Sequence, residues 1–238
     1  SEFIHNIEGV FGEAGKQFLA SLPASINEAS QRWRLTDVRP VPTLSYNFAA
    51  FANRGDEQVV LKMGVPNREL KSEMATLRLF NGEGACRLIE CDEEKYWMLL
   101  ERLKPGVMLL TLEDDEEATH IAADVMQKIW RPLESASLLA NWQNFIRLSD
   151  WFDGLKRLRA TFNGGTGPFN EMLVARVERS VKDFFVENHK PVLMHGDFHH
   201  YNILSSERGW LVIDPKGVIG PACYEVGPFL INPWDDLL

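Results

Sequence analysis

Cysteine is scarce in this chain: there are three in 238 residues, and Cys86, Cys91 and Cys223 include no CxxC spacing. Neither a disulfide framework nor a zinc cluster is implied, and the thiols are expected to be reduced. Positive charge is in deficit as well. With 25 basic against 34 acidic side chains the formal net charge is −9, which repels nucleic acid and anionic membrane and suits a cationic small molecule better. No apolar run approaches the roughly 20 residues that cross a bilayer, and the opening SEFIHNIEGVFGEAGKQF lacks the basic segment and apolar core of a signal peptide. Repeats and low-complexity tracts are missing too. At 45% hydrophobic residues the chain is not disordered, and its length allows one large domain or two small lobes. The expectation is a cytoplasmic protein acting on a small-molecule substrate, with no nucleic acid and no membrane partner.

What is present is concentrated near the end. VLMHGDFHHYNILSS spans 192–206, and WLVIDPKG follows at 210–217. Asp197 and Asn202 stand five residues apart, the interval of the Asp and Asn in the protein-kinase pattern HRDxxxxN. Asp214 closes an apolar run at 210–213 that reads as a short strand, and a Pro-Lys-Gly turn follows. Phosphoryl transfer needs these types: a carboxylate to orient a hydroxyl and accept its proton, and hard oxygen ligands for the Mg²⁺ that accompanies ATP. Asp197 suits the first task, Asn202 and Asp214 the second. The plainer possibility is a loop whose Asp and Asn only cap backbone groups. Against it stand the apolar runs 192–194 and 202–204, which are expected to pair across the loop. A metallohydrolase is another rival, since His195, Asp197, His199 and His200 are metal-ligand types. Alternation along a strand-like loop would turn His200 away from His199 and weakens that case.

The rest divides into two regions. Residues 32–62 read as strands, 69–80 as one helix between strands, and CRLIEC and YWMLLERL as two more strands, before Pro105 and Gly106 break the pattern at a hinge near 101–106. Helical periodicity then dominates over 116–130, 142–160 and 169–189, and the acidic run 113–117 fits the N-terminus of the first of these. The fold class is therefore α+β and two-lobed, with a β-rich N-terminal lobe over 1–103 that contains one helix, and a larger, mostly helical lobe over 104–238. Lys62 ends the strand VVLK as the lysine does in the kinase signature VAIK. Glu73 on the next helix is the expected partner that holds Lys62 towards ATP phosphates, with Glu69 one turn earlier as the alternative. LSYNFAAF occupies the place of a glycine-rich phosphate loop without a single glycine, so either Asn47 is the candidate side-chain donor there or the loop closes only with substrate bound. Glu101 and Leu103 are the candidate hinge residues for adenine.

Taken together, HGDFHHYNIL, VIDPKG, VVLK with its downstream glutamate and LLERLKPG resemble the aminoglycoside phosphotransferase superfamily. GEGACRLIECD and LLERLKPGVML narrow the likeness to the streptomycin 6-phosphotransferase and hydroxyurea phosphotransferase branch. The resemblance covers most of the chain, and the block from HGD to DPKG is its specific part. It implies a protein-kinase-like fold and ATP-dependent phosphorylation of a small-molecule hydroxyl, with antibiotic or drug inactivation as the outcome. Asp197 is then the base, Asn202 and Asp214 the Mg²⁺ ligands, and Lys62 with Glu73 the phosphate-positioning pair. It further implies that His195 braces the loop, that His199 and His200 are scaffolding with either able to reach substrate, and that Glu225 anchors the loop backbone. For a guanidinium-bearing acceptor such as streptomycin, Glu225, Asp235 and Asp236 are the candidate carboxylates, whereas neutral hydroxyurea needs none. The alternatives are a kinase of an unrelated metabolite and a non-catalytic nucleotide-binding module. Ser1 is not a natural start and members of this family usually continue past Leu238, so terminal helices are expected to be missing.

Overall fold

The computed structural model describes residues 1–134, 142–186 and 190–233. The chain opens with a helical span, α1 (Glu2–Trp33), followed by strands β1 (Leu35–Pro40), β2 (Phe48–Arg54) and β3 (Glu57–Met63), helix α2 (Arg68–Phe80), and strands β4 (Leu88–Asp92) and β5 (Trp97–Glu101). The five strands form one antiparallel sheet in the order β1-β2-β3-β5-β4. The strands and α2 fall where the sequence pattern puts them. α1 does not, because the first third carries two helices and not one. Its signal was present: Phe3, Ile7 and Phe11, then Phe18, Leu22, Ile26, Ala29 and Trp33, recur every three or four residues and lie on or against one apolar cluster. Gly12 (φ 54, ψ −125) interrupts the helix. A Cβ on Gly15 would come within 2.4 Å of the Ile7 carbonyl oxygen, so this close return of the chain needs a glycine.

Alternation along the strands gives the sheet two apolar faces. Val59, Leu61 and Met63 of β3 and Trp97 and Leu99 of β5 join the α1 cluster. Met98 and Leu100 turn the other way, onto Leu70, Met74, Leu77 and Phe80 of α2. Lys62 falls between Leu61 and Met63 and therefore projects towards α2. Helix α2 starts on Asn67, whose side chain accepts the Leu70 amide at 2.9 Å.

Beyond β5 the sequence reading needs three corrections. Pro105 and Gly106 do not simply break the pattern: β6 (Pro105–Met108) joins β10 (Ile203–Ser206) and β11 (Gly209–Val212) in a three-stranded sheet of order β11-β10-β6. Helix α3 (Asp115–Ile129) begins where expected, with Asp114 as its cap and Asp115, Glu116 and Glu117 in its first turn. The next helix, α4 (Leu148–Thr161), starts later than the expected 142, because a 3-10 turn and the short β8 (Ile146–Arg147) precede it. Helix α5 (Glu171–Val186) ends near the limit of description, and residue 187 onward of the expected 169–189 helix lies outside the described residues. The third correction concerns the runs 192–194 and 202–204, which do not pair with each other. β9 (Pro191–Met194) lies in a second sheet, β7-β9-β12-β8, with β7 (Arg131–Pro132) and β12 (Val218–Pro221), while β10 pairs with β11 and β6. The catalytic-loop candidate is thus the crossover between two small sheets. The short helix α6 (Val226–Leu230) ends the described chain.

The turn at Gly217 seats this second region on α2. Its φ is +67, its carbonyl accepts the Ser72 hydroxyl at 2.8 Å, and a Cβ there would lie 2.0 Å from Thr76 Oγ1 and 3.0 Å from the Ser72 carbonyl oxygen. Gly217→Ala should therefore cost roughly 2–5 kcal/mol of stability, through left-handed strain and overpacking together. An unchanged urea midpoint in this variant would show that the turn is not packed on α2.

Candidate active site

The segment after β9 is held by a carboxylate that cannot reach solvent. Glu225 is fully buried; Oε2 accepts the His195 amide at 2.7 Å and Oε1 the Gly196 amide at 2.8 Å. Burial pushes this carboxyl up to about 8, against the pull of the two amides. With both oxygens committed to the loop backbone, Glu225 is not available to a guanidinium of a substrate, and that expectation is corrected. Asp235 and Asp236, the other two carboxylates considered for that task, lie outside the described residues.

His195 is also fully buried. The Asp197 amide donates to its Nδ1 at 3.2 Å, which leaves Nε2 to donate its proton to the Ile213 carbonyl at 2.8 Å. Its own carbonyl accepts the amides of Lys216 (2.8 Å) and Gly217 (3.1 Å). One residue thus ties the loop to the strand end and to the turn that carry Asp214. Both ring nitrogens are spent, so His195 is no metal ligand, and among the described residues no three His, Cys, Asp or Glu side chains are grouped to hold a metal ion. His200 stacks on Phe229 at 4.2 Å between ring centres. His199 approaches Asp197, Nε2 to Oδ1 3.6 Å, and burial lowers its pKa although Asp197 opposes the shift.

Asp197 remains open, its side chain 41% exposed. The Asn202 amide nitrogen donates to the Asp197 carbonyl at 3.0 Å and lies 3.2 Å from His199 Nε2. Since that nitrogen is used inside the loop, the side-chain oxygen is the atom Asn202 can offer outward. Asp214 follows β11 in left-handed backbone (φ 58), and the Ile213 amide donates to the Asn202 carbonyl at 2.9 Å. The backbones of Asn202 and Asp214 are thereby held together, and each residue carries a hard oxygen of the kind Mg²⁺ takes, a set that fits the ion by donor type and is too small to hold it without further oxygens from a ligand.

Across from them stands Lys62, buried with 6% of its surface exposed. Its Nζ donates to Glu73 Oε1 at 2.6 Å, to Glu73 Oε2 at 2.7 Å and to Asp214 Oδ1 at 2.6 Å. Of the two glutamates considered on α2, Glu73 makes this contact. Glu69 is exposed and lines a neighbouring cavity of about 250 Å³ with Asn47, Glu73 and Lys216. Burial alone would lower the Lys62 pKa, but Asp214 and Glu73 together hold it above the usual lysine range. Burial likewise opposes ionisation of Asp214, yet Lys62 and Lys216 bring its carboxyl down to about 2. Burial raises Glu73, and Lys62 pulls the other way.

The remaining candidates are placed as follows. Asn47 rests against Gly64, where an added Cβ would lie 2.2 Å from its Oδ1. Glu101 ends β5 with its amide on the Arg87 carbonyl and its carboxylate on Arg208, and Leu103 is buried. The sequence reading missed Lys216 and Ser72. For Ser72 a signal existed, a small polar residue one turn before Thr76 and next to Glu73.

The sequence profile of the aminoglycoside/hydroxyurea antibiotic resistance kinases matches residues 32–238. Streptomycin 6-kinase of Streptomyces glaucescens is 28% identical over 235 residues, covering 96% of this chain and 73% of the relative. Hydroxyurea phosphotransferase of Kitasatospora aureofaciens is 28% identical over 232 residues, covering 93% of this chain and 64% of the relative. Among solved structures, a thermostable variant of aminoglycoside phosphotransferase APH(4)-Ia, in ternary complex with ADP and hygromycin B, superposes with a TM-score of 0.59. It is 16% identical and covers 87% of this chain and 77% of its own. That likeness establishes a shared α+β, kinase-like fold.

His195 generates a prediction. Burial pushes its imidazole down to about 3, whereas in the unfolded chain it titrates near 6.5. Between those values the unfolded state binds a proton that the folded state refuses, so the stability that neutral His195 preserves above pH 6.5 is lost as pH falls towards 3. From pH 7.5 to 5 this site should remove about 2 kcal/mol. Urea unfolding of His195→Gln at both pH values should show a correspondingly shallower decline, and an identical decline would exclude His195 as its source.

Proposed function

The chain belongs to the aminoglycoside/hydroxyurea antibiotic resistance kinase family and is a small-molecule phosphotransferase, and we propose that it moves the γ-phosphate of ATP to a hydroxyl of a streptomycin-like aminoglycoside or of hydroxyurea. Asp197 is the base, Asn202 and Asp214 are the ligands that would hold Mg²⁺, and Lys62 with Glu73 positions the phosphates. The observation that carries this assignment is the meeting of Lys62, from the five-stranded sheet, with Asp214, from the loop beside Asp197 and Asn202. The protein divides near residue 103 into a lobe that takes nucleotide, with Glu101 and Leu103 at the adenine edge and Asn47 over the phosphates, and a lobe that takes acceptor.

In the reaction the acceptor oxygen forms a bond to the γ-phosphorus, the bond from that phosphorus to the bridging oxygen breaks, and ADP leaves with the electron pair. Asp197 orients the hydroxyl and takes its proton, and its exposed carboxylate leaves room for an acceptor. The buried anchors beneath it, Glu225 and His195, keep the carboxylate in place while acceptors come and go. When bound, Mg²⁺ supplies charge neutralisation between the phosphate oxygens. Its two ligands here, one amide oxygen and one carboxylate, match that task.

ATP consumption in the presence of streptomycin, other aminoglycosides, hydroxyurea and small polyols identifies the acceptor. With the best acceptor, Asp197→Asn should retain ATP binding and lose about 10²- to 10⁴-fold in transfer rate, as expected for removal of a general base. Near-normal transfer by this variant, or no acceptor that raises ATP consumption above background, refutes the assignment.

A further inference from the structure

An ammonium group has three N–H donors, and in Lys62 all three are taken, two by Glu73 and one by Asp214. At most the bond to Asp214 can be exchanged for a phosphate oxygen without breaking the pair with Glu73. A triphosphate needs more than one donor. The stretch 41–47 contains no glycine, so its backbone cannot close on phosphates through the torsions that glycine permits. Arg68, at the start of α2, is already committed to Asp150 (2.9 Å) and to the Phe145 carbonyl (3.2 Å).

Lys216 is differently placed. Its Nζ stands 3.8 Å from Asp214 Oδ1, beyond hydrogen-bond length, and makes no hydrogen bond among the described residues. Its backbone, in contrast, is fixed, with the amide on the His195 carbonyl at 2.8 Å and the packed Gly217 turn directly after it. The side chain is 24% exposed and borders the cavity of about 250 Å³ that it shares with Asn47, Asn67 and Glu73. A rigid root, a side chain that stands next to Asp214 with its donors unused, and an open space at that side chain bordered by Asn47 of the glycine-free loop are what a phosphate-binding lysine requires.

We propose that Lys216 contacts the γ-phosphate of bound ATP and supplies the donor that a glycine-rich loop would otherwise provide. This rests on the ATP-dependent reading above and extends it by one residue. Lys62 holds the base of the polyphosphate while Lys216 reaches its transferable end, so Lys216 distinguishes ATP from ADP.

Calorimetric titration of ATP, ADP and adenosine into the intact chain and into Lys216→Met tests this without reference to turnover. The expected result is about 10- to 100-fold weaker ATP binding, as for loss of a hydrogen bond to a charged group, with a much smaller change for ADP and none for adenosine. Lys216→Arg should restore most of the preference for ATP. Equal weakening of ATP and ADP, or no weakening of either, overturns the proposal. A urea midpoint checks folding, and Lys216→Gln takes over the comparison if Lys216→Met does not fold. Failure of the ATP-binding premise looks different, because the unaltered protein would then bind ATP no more tightly than adenosine, and failure of phosphoryl transfer alone appears as ATP binding without turnover of any acceptor.

Discussion

The buried ammonium of Lys62 is the constraint around which the molecule is arranged. Removing a cation from water costs several kcal/mol after relaxation, and only close, hydrogen-bonded anions offset it. Two carboxylates do so here at 2.6–2.7 Å, and they arrive from different parts of the fold: Glu73 from α2, Asp214 from the turn after β11. The charged group therefore sets the distance between the sheet, its helix and the second region. Deleting the ammonium would leave the buried Glu73 carboxylate without its cation, a loss typically of about 3–5 kcal/mol. The same three groups form the middle of the candidate site, so in the proposed function stability and chemistry draw on one cluster.

Around it, buried polarity is satisfied by short and specific contacts. Glu225 caps two loop amides, His195 bridges the loop to the strand end on one side and to the Gly217 turn on the other, and Ser72 closes that turn onto α2. Each is a polar group withdrawn from water that keeps its hydrogen bonds. The result is a catalytic-loop candidate fixed through its backbone, with the Asp197 carboxylate left outward. Such an arrangement pre-orients the reactive group instead of relying on a substrate to organise it.

The local parts of this design were legible in the sequence. β3 and α2 showed their periods, Asp197, Asn202 and Asp214 their spacing, and the acidic run before α3 its capping role. What could not be read was which elements meet. Residues 192–194 and 202–204 look like partners across a loop, yet 192–194 pairs with β12 and β7, and β10 with the adjoining β11 and the distant β6, because the loop between them crosses from one sheet to another. Glu225 looked available to a cation because its burial depends on contacts 29 and 30 residues distant. Pro105 reads as a breaker but begins β6, the third strand of its sheet, as a proline at the start of a strand can. α1 could have been seen from its apolar stripe, which Gly12 and Pro23 interrupt. The choice between Glu69 and Glu73 also lay beyond periodicity, since both share nearly one helical face and only the sheet's position separates them.

The most direct test of this organisation is a double-mutant cycle on Lys62 and Asp214, measured by urea unfolding of Lys62→Met, Asp214→Asn and the double variant. If the ammonium joins the two regions as described, each single change should destabilise, and the double variant should be less destabilised than their sum by roughly 0.5–3 kcal/mol, the range for residues in direct contact. Strictly additive losses would contradict it, and would mean that Lys62 and Asp214 do not depend on one another.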